Sequence, residues 1–261
     1  MKKQTLHIVK IGGNIINDEE VLATFLKDFS RLKGFKILVH GGGKRATEIA
    51  SKMGLKPKLI EGRRVTDGAN LEVVTMVYAG LLNKKITAQL QQNNCNALGL
   101  SGADANCILA HKRIVKDINY GFAGDVDSVN SETINVFLHN KIIPVFCAIT
   151  HDKKGQLLNT NADTIASEVA IAMSDLFNVQ LNYVFELKGV LETIEDKNSV
   201  IKAINLNKYE QLIEQGIISD GMIPKLHNCF NALKKGVQIV KIGDASLIKS
   251  TNKLYTTLSI K

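Results

Sequence analysis

Short apolar runs alternate with amphipathic helical patterns along the chain. An apolar run from Leu6 to Ile11 precedes a helical pattern between Val21 and Leu32, and a second run at 37–40 precedes a helical pattern from Lys44 to Met53. Strand-like runs that alternate with helices are typical of a parallel sheet with crossover helices. The pattern therefore predicts an α/β fold.

The longest helical pattern extends from about Asn70 to Asn93 and is apolar on more than one side. That breadth indicates either full burial or a second packing surface, and we expect a homodimer joined through this helix. The glycine-rich section 97–129 predicts β-hairpins over a site, and Lys141–Ile149 predicts one apolar strand. A new series of strands and helices then begins, which predicts two lobes, 1–174 and 175–261.

The amino-acid composition excludes some classes of function but says little about the fold. The chain has 261 residues, of which 45% are hydrophobic and 22% charged, as in ordinary soluble globular proteins. An aromatic share of 5% without tryptophan argues against a base-stacking nucleic-acid platform. The net charge of +8 comes from dispersed lysines, which favours sites for small anions over a polyanion partner.

The sequence also bears on the location of the protein and on metal binding. The four cysteines contain no CxxC pair, which is typical of reduced thiols in a cytoplasmic protein. No signal peptide or membrane-length apolar run is present, so we expect neither a membrane nor a nucleic-acid partner. The scattered histidines show no ligand spacing, and no metal ligands are expected in the protein itself.

Two strand-like runs end directly in glycine-rich turns. Lys10 ends the first run and is followed closely by Gly12 and Gly13, and the second run leads into residues 41–43 and Lys44. Glycines let backbone N–H groups close around an oxyanion, and a lysine beside them supplies a point charge. The two turns indicate an α/β protein that handles anions.

Two nucleotide-binding fingerprints are weaker interpretations of these turns. The P-loop is absent, because Leu38 stands where its first glycine would be. The spacing Gly41-x-Gly43-x-x-Ala46 fits the permissive dinucleotide fingerprint, with Glu61 about 20 residues further on. That fingerprint normally occupies the first strand–helix turn, which here is residues 10–13. An NAD-dependent oxidoreductase therefore remains the less favoured enzyme class.

Four further segments carry residues suited to anions. The guanidinium groups of Arg63 and Arg64 can hold a carboxylate bidentately, although surface arginines are often only solvated. Amides and a carboxylate cluster at 159–163 before a helix, and 186–189 follows the first strand of the second lobe. Lys225 lies in the first turn of a predicted helix, where a cation opposes the dipole unless an anion is bound.

Six motifs together resemble those of the amino acid kinase family. They occur in one order from Lys10 to Lys225: Lys10-x-Gly-Gly, His40-Gly-Gly-Gly, Gly62-x-Arg-Val-Thr-Asp, Gly124-Asp-Val-Asp-x-Val-Asn, Asn159-x-Asn-Ala-Asp and Asp220-Gly-Met-Ile-Pro-Lys. The resemblance implies a three-layer α-β-α sandwich around a mostly parallel open sheet. It also implies that the N-terminal lobe binds an acylated amino acid and the C-terminal lobe binds ATP with Mg²⁺.

The same resemblance implies a role for individual residues. The lysines Lys10 and Lys225 would flank the transferring phosphoryl group, with Asp163 orienting both. The acylated amino acid would be bound by Gly42, Gly43, Arg64 and Asn159. The ATP side would be lined by Gly12, Gly13, Glu186, Lys188, Gly189, Ser219 and Asp220.

The implied reaction is phosphorylation of the γ-carboxylate of N-acetyl-L-glutamate, in arginine biosynthesis. That carboxylate is already ionised at neutral pH, since its unperturbed pKa is about 4.3, so no general base is needed. N-succinyl-L-glutamate is an alternative acceptor, because Arg63 beside Arg64 could accommodate a second carboxylate. A catalytically silent amino-acid sensor is a further alternative, although it would not need the two lysines.

Two features of the sequence bear on the nucleotide contacts and on the oligomeric state. Where the family usually has Ser/Thr-Asp-Val, this chain has Phe185-Glu186-Leu187, which keeps a carboxylate but loses the hydroxyl. Only nine residues precede Lys10, whereas arginine-inhibited members carry an extra N-terminal helix that links dimers into hexamers. We therefore expect a homodimer with weak or no inhibition by arginine.

Overall fold

The structure is a computed structural model that describes residues 3–60, 63–115, 117–218, 222–249, 251 and 254–260. Its strands are β1 (Thr5–Ile11), β2 (Phe35–His40), β3 (Lys58–Ile60), β4 (Arg63–Val65), β5 (Ala97–Leu100), β6 (Ile108–Lys112), β7 (Ala123–Val129), β8 (Ile143–Phe146), β9 (Ile149–His151), β10 (Leu157–Thr160), β11 (Asn178–Val184), β12 (Ala203–Ile204), β13 (Ile239–Gly243) and β14 (Thr256–Leu258). Its α-helices are α1 (Gly13–Asn17), α2 (Glu19–Arg31), α3 (Gly43–Lys52), α4 (Gly68–Thr75), α5 (Asn83–Gln92), α6 (Ser131–His139), α7 (Ala162–Met173), α8 (Leu206–Glu214) and α9 (Met222–Lys234).

The apolar runs become the inner strands of one eight-stranded sheet, in the order β12-β14-β13-β11-β1-β2-β8-β5. Neighbouring strands are parallel except β13 and β14. The central strands are almost wholly buried, as expected when helices cover both faces. This confirms the predicted α/β fold with a mostly parallel sheet. Because β1 pairs with both β2 and β11, the two predicted lobes share this sheet.

The helices fall into two groups, as a three-layer sandwich requires. Helix α7 contacts β1, β2 and β11, together with α6 and α9. Helix α2 packs on α5, which contacts β5 and β8. Phe25 and Phe29 of α2 are fully buried, which explains the apolar spacing in that part of the sequence. No helix in the described part of the chain is long and apolar enough to cross a bilayer.

Two local predictions are wrong in part. The segment 97–129 is not all hairpin, because β5 is an edge strand of the main sheet, and β6 and β7 form the hairpin. Lys141–Ile149 forms two strands, since β9 belongs with β6, β7 and β10 to a small closed barrel. Cys147 and Ala148, between the strands, are buried as the chain passes from sheet to barrel. Burial, and not strand geometry, makes that run continuously apolar.

The long helix predicted from Asn70 to Asn93 is confirmed as a helical segment of three consecutive parts. Helix α4 continues into a π-helical segment, Met76–Leu82, and then into α5. A π-helical segment inside an α-helix is rare and often lies at a functional site. Val77 and Leu82 are buried, whereas Met76 is 52% and Leu81 46% exposed.

Candidate active site

A cavity of about 400 Å³ lies at the carboxyl ends of β1 and β2, where open α/β sheets usually bind ligands. Lys10 is in register with Val39 of β2 and Tyr183 of β11, so its side chain rises from the middle of the sheet. Eight residues predicted from the sequence line this one cavity: Lys10, Gly12, Gly13, Gly42, Gly43, Arg64, Asn159 and Asp163.

Lys10 and Asp163 form the central ion pair of the cavity, with 2.8 Å between Nζ and Oδ1. Both side chains are largely buried. Asp163 is held at the start of α7, where the Asn161 side chain accepts hydrogen bonds from the N–H groups of Asp163 and Thr164. The Tyr183 hydroxyl donates to the Asp163 carbonyl at 3.0 Å. The pair is therefore fixed from two elements and presents an ammonium group to the cavity.

At Gly42 the second glycine turn has no room for a side chain. A Cβ atom on Gly42 would lie 2.4 Å from Leu82 Cδ1 and 2.9 Å from Tyr78 Cδ1. Helix α3 begins at Gly43, so the free N–H groups of its first turn border the cavity. Helix N-termini of this kind favour anions. The turn can thus bind an oxyanion through its backbone.

Arg64 is 8% exposed and is anchored on one side only. Its Nη2 donates to the Gly43 carbonyl at 3.0 Å and to Thr47 Oγ1 at 2.5 Å. Its Nη1 is buried without a hydrogen-bond partner among the described residues. A buried donor left unpaired costs about 1–3 kcal/mol, so the guanidinium is suited to an added acceptor such as a carboxylate.

Lys225 does not line the main cavity. Its side chain is exposed, and its Nζ lies 4.7 Å from the centroid of the Phe185 ring. Lys10 Nζ lies 5.0 Å from the same centroid. Within the described part of the chain Asp163 pairs with Lys10 and not with Lys225. The two lysines are therefore neighbours across one aromatic ring.

The other residues expected on the ATP side are dispersed. Glu186 lines a separate cleft beside α2, and Lys188 Nζ donates to Asn198 Oδ1 at 2.7 Å. Gly189 packs closely on Thr256, whose Oγ1 would lie 2.6 Å from an added Cβ. The remaining residues that the sequence suggested for nucleotides are Glu61, Ser219 and Asp220, which lie outside the described residues.

Sequence reasoning missed several cavity residues. They are Thr47, Tyr78 and Arg113, whereas Lys44, which the sequence places at the second glycine turn, also lines the cavity. Arg113 pairs with Asp125 across the β6–β7 hairpin, and this pairing lowers the pKa of the Asp125 carboxyl. The acidic Gly124–Asn130 motif could have indicated that a basic residue such as Arg113 lies nearby. Burial raises the pKa of Tyr78, whose hydroxyl would lie 3.8 Å from a Cβ on Gly43. Nothing in the sequence indicated that Tyr78 lines the cavity, because an aromatic residue in an apolar helix is usually part of the hydrophobic core.

Comparisons with known proteins identify the family and the fold. Residues 5–244 match the amino acid kinase family. An acetylglutamate kinase of Cytophaga hutchinsonii is 54% identical over 255 residues, 97% of each chain. An acetylglutamate kinase of Phocaeicola vulgatus is 50% identical over 94% of this chain and 96% of its own. The carbamate kinase from Giardia lamblia bound to AMP-PNP shares the fold, with a TM-score of 0.69 at 12% identity over 99% of each chain.

Proposed function

The chain belongs to the amino acid kinase family, and on that premise we propose that it transfers the γ-phosphoryl group of ATP to the γ-carboxylate of N-acetyl-L-glutamate. The buried pair of Lys10 and Asp163, at the floor of a cavity that also contains Arg64, is the observation that carries the proposal. Relatives that share about half of its residues are acetylglutamate kinases, which favours the acetyl over the succinyl substrate. The family consists of phosphotransferases, which decides against an NAD-dependent oxidoreductase.

Arg64 is the proposed anchor for the acylated amino acid. Its Nη1, buried and without a partner among the described residues, can donate to the substrate α-carboxylate. Asn159 Nδ2 donates to Thr66 Oγ1, so the orientation of this amide is fixed as it faces the cavity. Gly42 and Gly43 would add backbone N–H groups. These contacts would leave the γ-carboxylate directed toward Lys10.

Catalysis then requires alignment and charge stabilisation more than proton transfer. The attacking carboxylate is ionised, and one of its oxygens forms a bond to the γ-phosphorus while the bond to the bridging oxygen of ADP breaks. Lys10, oriented by Asp163, would stabilise the charge on the transferring group. Lys225 would act from the nucleotide side. We propose that Gly12 and Gly13, whose N–H groups border the same cavity, complete this cradle.

Mg²⁺ is proposed to accompany the nucleotide. Among the described residues no group of His, Cys, Asp or Glu side chains is arranged to hold a metal ion. Mg²⁺ is commonly bound through substrate phosphates and retained waters, and it would supply charge neutralisation there. The C-terminal lobe, 175–261, would bind ATP, with Glu186, Lys188, Gly189, Ser219 and Asp220 on that side.

A homodimer through the long helix is also proposed. Met76 and Leu81 expose apolar surface on this helix, and Leu98 is exposed on β5 beside it. Strand β5 is the last strand of the main sheet and lies beside the long helix, so Leu98 extends the same apolar surface. Light scattering should give a dimer, and Leu81→Glu should yield monomers. The control Ile194→Glu changes an exposed apolar residue elsewhere and should remain dimeric. A monomeric parent protein would contradict the proposal.

A cytoplasmic location and a step in arginine biosynthesis complete the proposal. All four cysteines are buried and unpaired, as is usual in a reducing compartment. The acyl phosphate product is reactive and calls for a following enzyme that reduces or transfers it. Weak or absent inhibition by arginine remains a prediction, which a titration of the activity with arginine checks.

The test of the proposed function is an ATP-dependent hydroxamate assay, in which hydroxylamine traps an acyl phosphate. N-acetylglutamate, N-succinylglutamate, glutamate and aspartate are compared at equal concentration with Mg²⁺. We expect hydroxamate with N-acetylglutamate at the highest kcat/KM. Absence of hydroxamate with all four, from folded protein, would contradict the proposed function and favour a silent sensor.

A further inference from the structure

Beneath the glycine turn, two buried polar side chains form a hydrogen-bonded chain that phosphoryl transfer itself does not use. His40 ends β2 and is 0% exposed, and Asn83 begins α5 and is 1% exposed. Asn83 Nδ2 lies 3.0 Å from His40 Nε2, and His40 Nδ1 lies 2.8 Å from the carbonyl oxygen of Gly41. We propose that Asn83 is a positioning residue that, through His40, fixes the Gly41 peptide and so the turn that binds the acceptor.

The hydrogen-bond partners determine where each proton lies on the side chains of His40 and Asn83. A carbonyl oxygen only accepts, so His40 Nδ1 must carry the imidazole proton and donate to Gly41. His40 Nε2 then has a lone pair, which accepts from the Asn83 amide. Asn83 Nδ2 also donates to the Val145 carbonyl at 2.9 Å, so both of its N–H groups are used. A flipped amide would set its oxygen against the Val145 oxygen, which excludes that orientation.

The charge state of His40 agrees with this assignment. Burial lowers the pKa of His40 to about 4, so the imidazole is neutral at physiological pH. Lys84 Nζ lies 3.3 Å from Asn83 Oδ1 and donates to the Gly99 carbonyl at 2.9 Å, which occupies the remaining amide oxygen. The network is thus fully satisfied, and a satisfied buried network rigidifies its surroundings.

The consequence for the turn follows from peptide geometry. The C=O and N–H groups of a trans peptide point in opposite directions. A Gly41 carbonyl held on His40 therefore directs the Gly42 N–H away from His40, toward the cavity that Gly41 and Gly42 line. Leu82 and Tyr78 pack on Gly42 from the same long helix. The helix that ends at Gln92 thus positions the turn by packing and, through Asn83, by hydrogen bonding.

The kinetic test is Asn83→Leu, which keeps a similar volume but removes the donor. The matched control is Gln91→Met, because Gln91 Nε2 donates from the same helix to the Ala97 carbonyl at 2.9 Å without contacting His40. Since this role rests on the proposed function, the substrates are N-acetylglutamate and ATP. Loss of one buried hydrogen-bond donor corresponds to about a tenfold rise in KM for N-acetylglutamate. KM for ATP should stay within about twofold, because the C-terminal lobe is untouched.

An Asn83→Leu variant that folds and keeps KM for N-acetylglutamate unchanged would overturn the proposal. An equal rise in both KM values, or the same rise in Gln91→Met, would also overturn it, since either indicates general loss of structure. The two KM values therefore separate positioning from stability.

Nitrogen-15 NMR of the imidazoles in the unsubstituted protein tests the same chain without relying on a variant. We expect one slowly exchanging histidine, neutral at pH 6 and protonated on Nδ1 alone. Absence of such a tautomer would overturn the positioning role. If the tautomer is present but the hydroxamate assay is negative for every acceptor, the proposed function fails and the hydrogen-bond chain stands.

Discussion

The proposed acceptor side and the proposed nucleotide side of the candidate active site are built differently. On the acceptor side, Arg64 is buried and bonded to Gly43 and Thr47, and Gly42 is enclosed by the long helix. On the nucleotide side, Lys225 is exposed, and Lys188 bonds only at the surface. The acceptor side is therefore preorganised by the protein's own contacts, whereas the nucleotide side presents its charges to solvent.

The difference matches the two ligands that we propose. An acylated amino acid has few atoms, so its reactive carboxylate must be aligned by a rigid site, and alignment can supply several kcal/mol of the barrier. ATP carries a large negative charge, which attracts the ammonium groups of exposed lysines over a distance. Lys10 belongs to both sides, because it pairs with Asp163 in the cavity and lies near the Phe185 ring.

The largest effect should come from Lys10→Met, which removes the charge shared by both sides. We expect kcat to fall by about 10²- to 10³-fold, the usual loss for one electrostatic stabiliser, with KM for N-acetylglutamate little changed. The control Lys241→Met removes another half-buried lysine, on β13, away from the cavity. Unchanged kcat in the Lys10 variant would refute its assigned role.

The second effect isolates the acceptor side. Arg64→Lys keeps the charge but loses the planar fork, so KM for N-acetylglutamate should rise by about 10- to 100-fold while KM for ATP does not. Arg63→Lys is the matched comparison, because Arg63 lines the same cavity from the same strand but is exposed, so its loss should raise this KM less. Steady-state kinetics with each substrate varied gives both constants. Equal responses from the two arginines would mean that burial of Arg64 is irrelevant to binding.

The third effect concerns the free energy of unfolding at acid pH, to which His40 beneath the acceptor side contributes. The pKa of His40 is about 4 in the folded protein and near 6.5 when unfolded, so the unfolded state binds the proton first. His40 therefore contributes stability above pH 6.5, which is lost as the pH falls toward 4. Between pH 7 and pH 5 the loss should be about 2 kcal/mol in the free energy of unfolding.

Urea denaturation at the two pH values measures this loss. His40→Gln should abolish about 2 kcal/mol of the difference, although its stability at pH 7 is lower. His139→Gln, which changes an exposed histidine at the end of α6, should leave the difference intact. His7 has a similarly lowered pKa through burial and Lys241, so part of the pH dependence should persist in both variants.

The smallest effect should come from the nucleotide side. Phe185→Leu removes the ring that both Lys10 and Lys225 approach. An exposed cation–π contact such as that of Lys225 contributes about 0.5–1 kcal/mol, so we expect a two- to fivefold loss of kcat/KM for ATP. Phe185→Tyr keeps the ring and should behave like the parent protein. A larger effect on N-acetylglutamate than on ATP would contradict the division of the site.

Features set by local sequence could be predicted, and those set by distant contacts could not. Lys10 and its glycines follow from one strand and one turn, and Arg64 from a short basic segment. The place of β5 at the sheet edge depends on strand order, which no local pattern encodes. The approach of Lys225 to Phe185 depends on packing of α9 against α7 and β13. The role of Asn83 could not be predicted, because Asn83 is followed by Lys84 and Lys85 and so resembles part of the solvated face of the helix.

Isotope transfer tests the central claim most directly, namely that the substrate carboxylate attacks the γ-phosphorus in the Lys10 cavity. N-acetylglutamate labelled with ¹⁸O in its γ-carboxylate is incubated with ATP, and hydroxylamine cleaves the product at the carbonyl carbon. We expect ³¹P NMR to show released phosphate that carries one ¹⁸O atom, and Lys10→Met to release hardly any. Released phosphate without ¹⁸O would mean that ATP is hydrolysed by water, and it would contradict the claim.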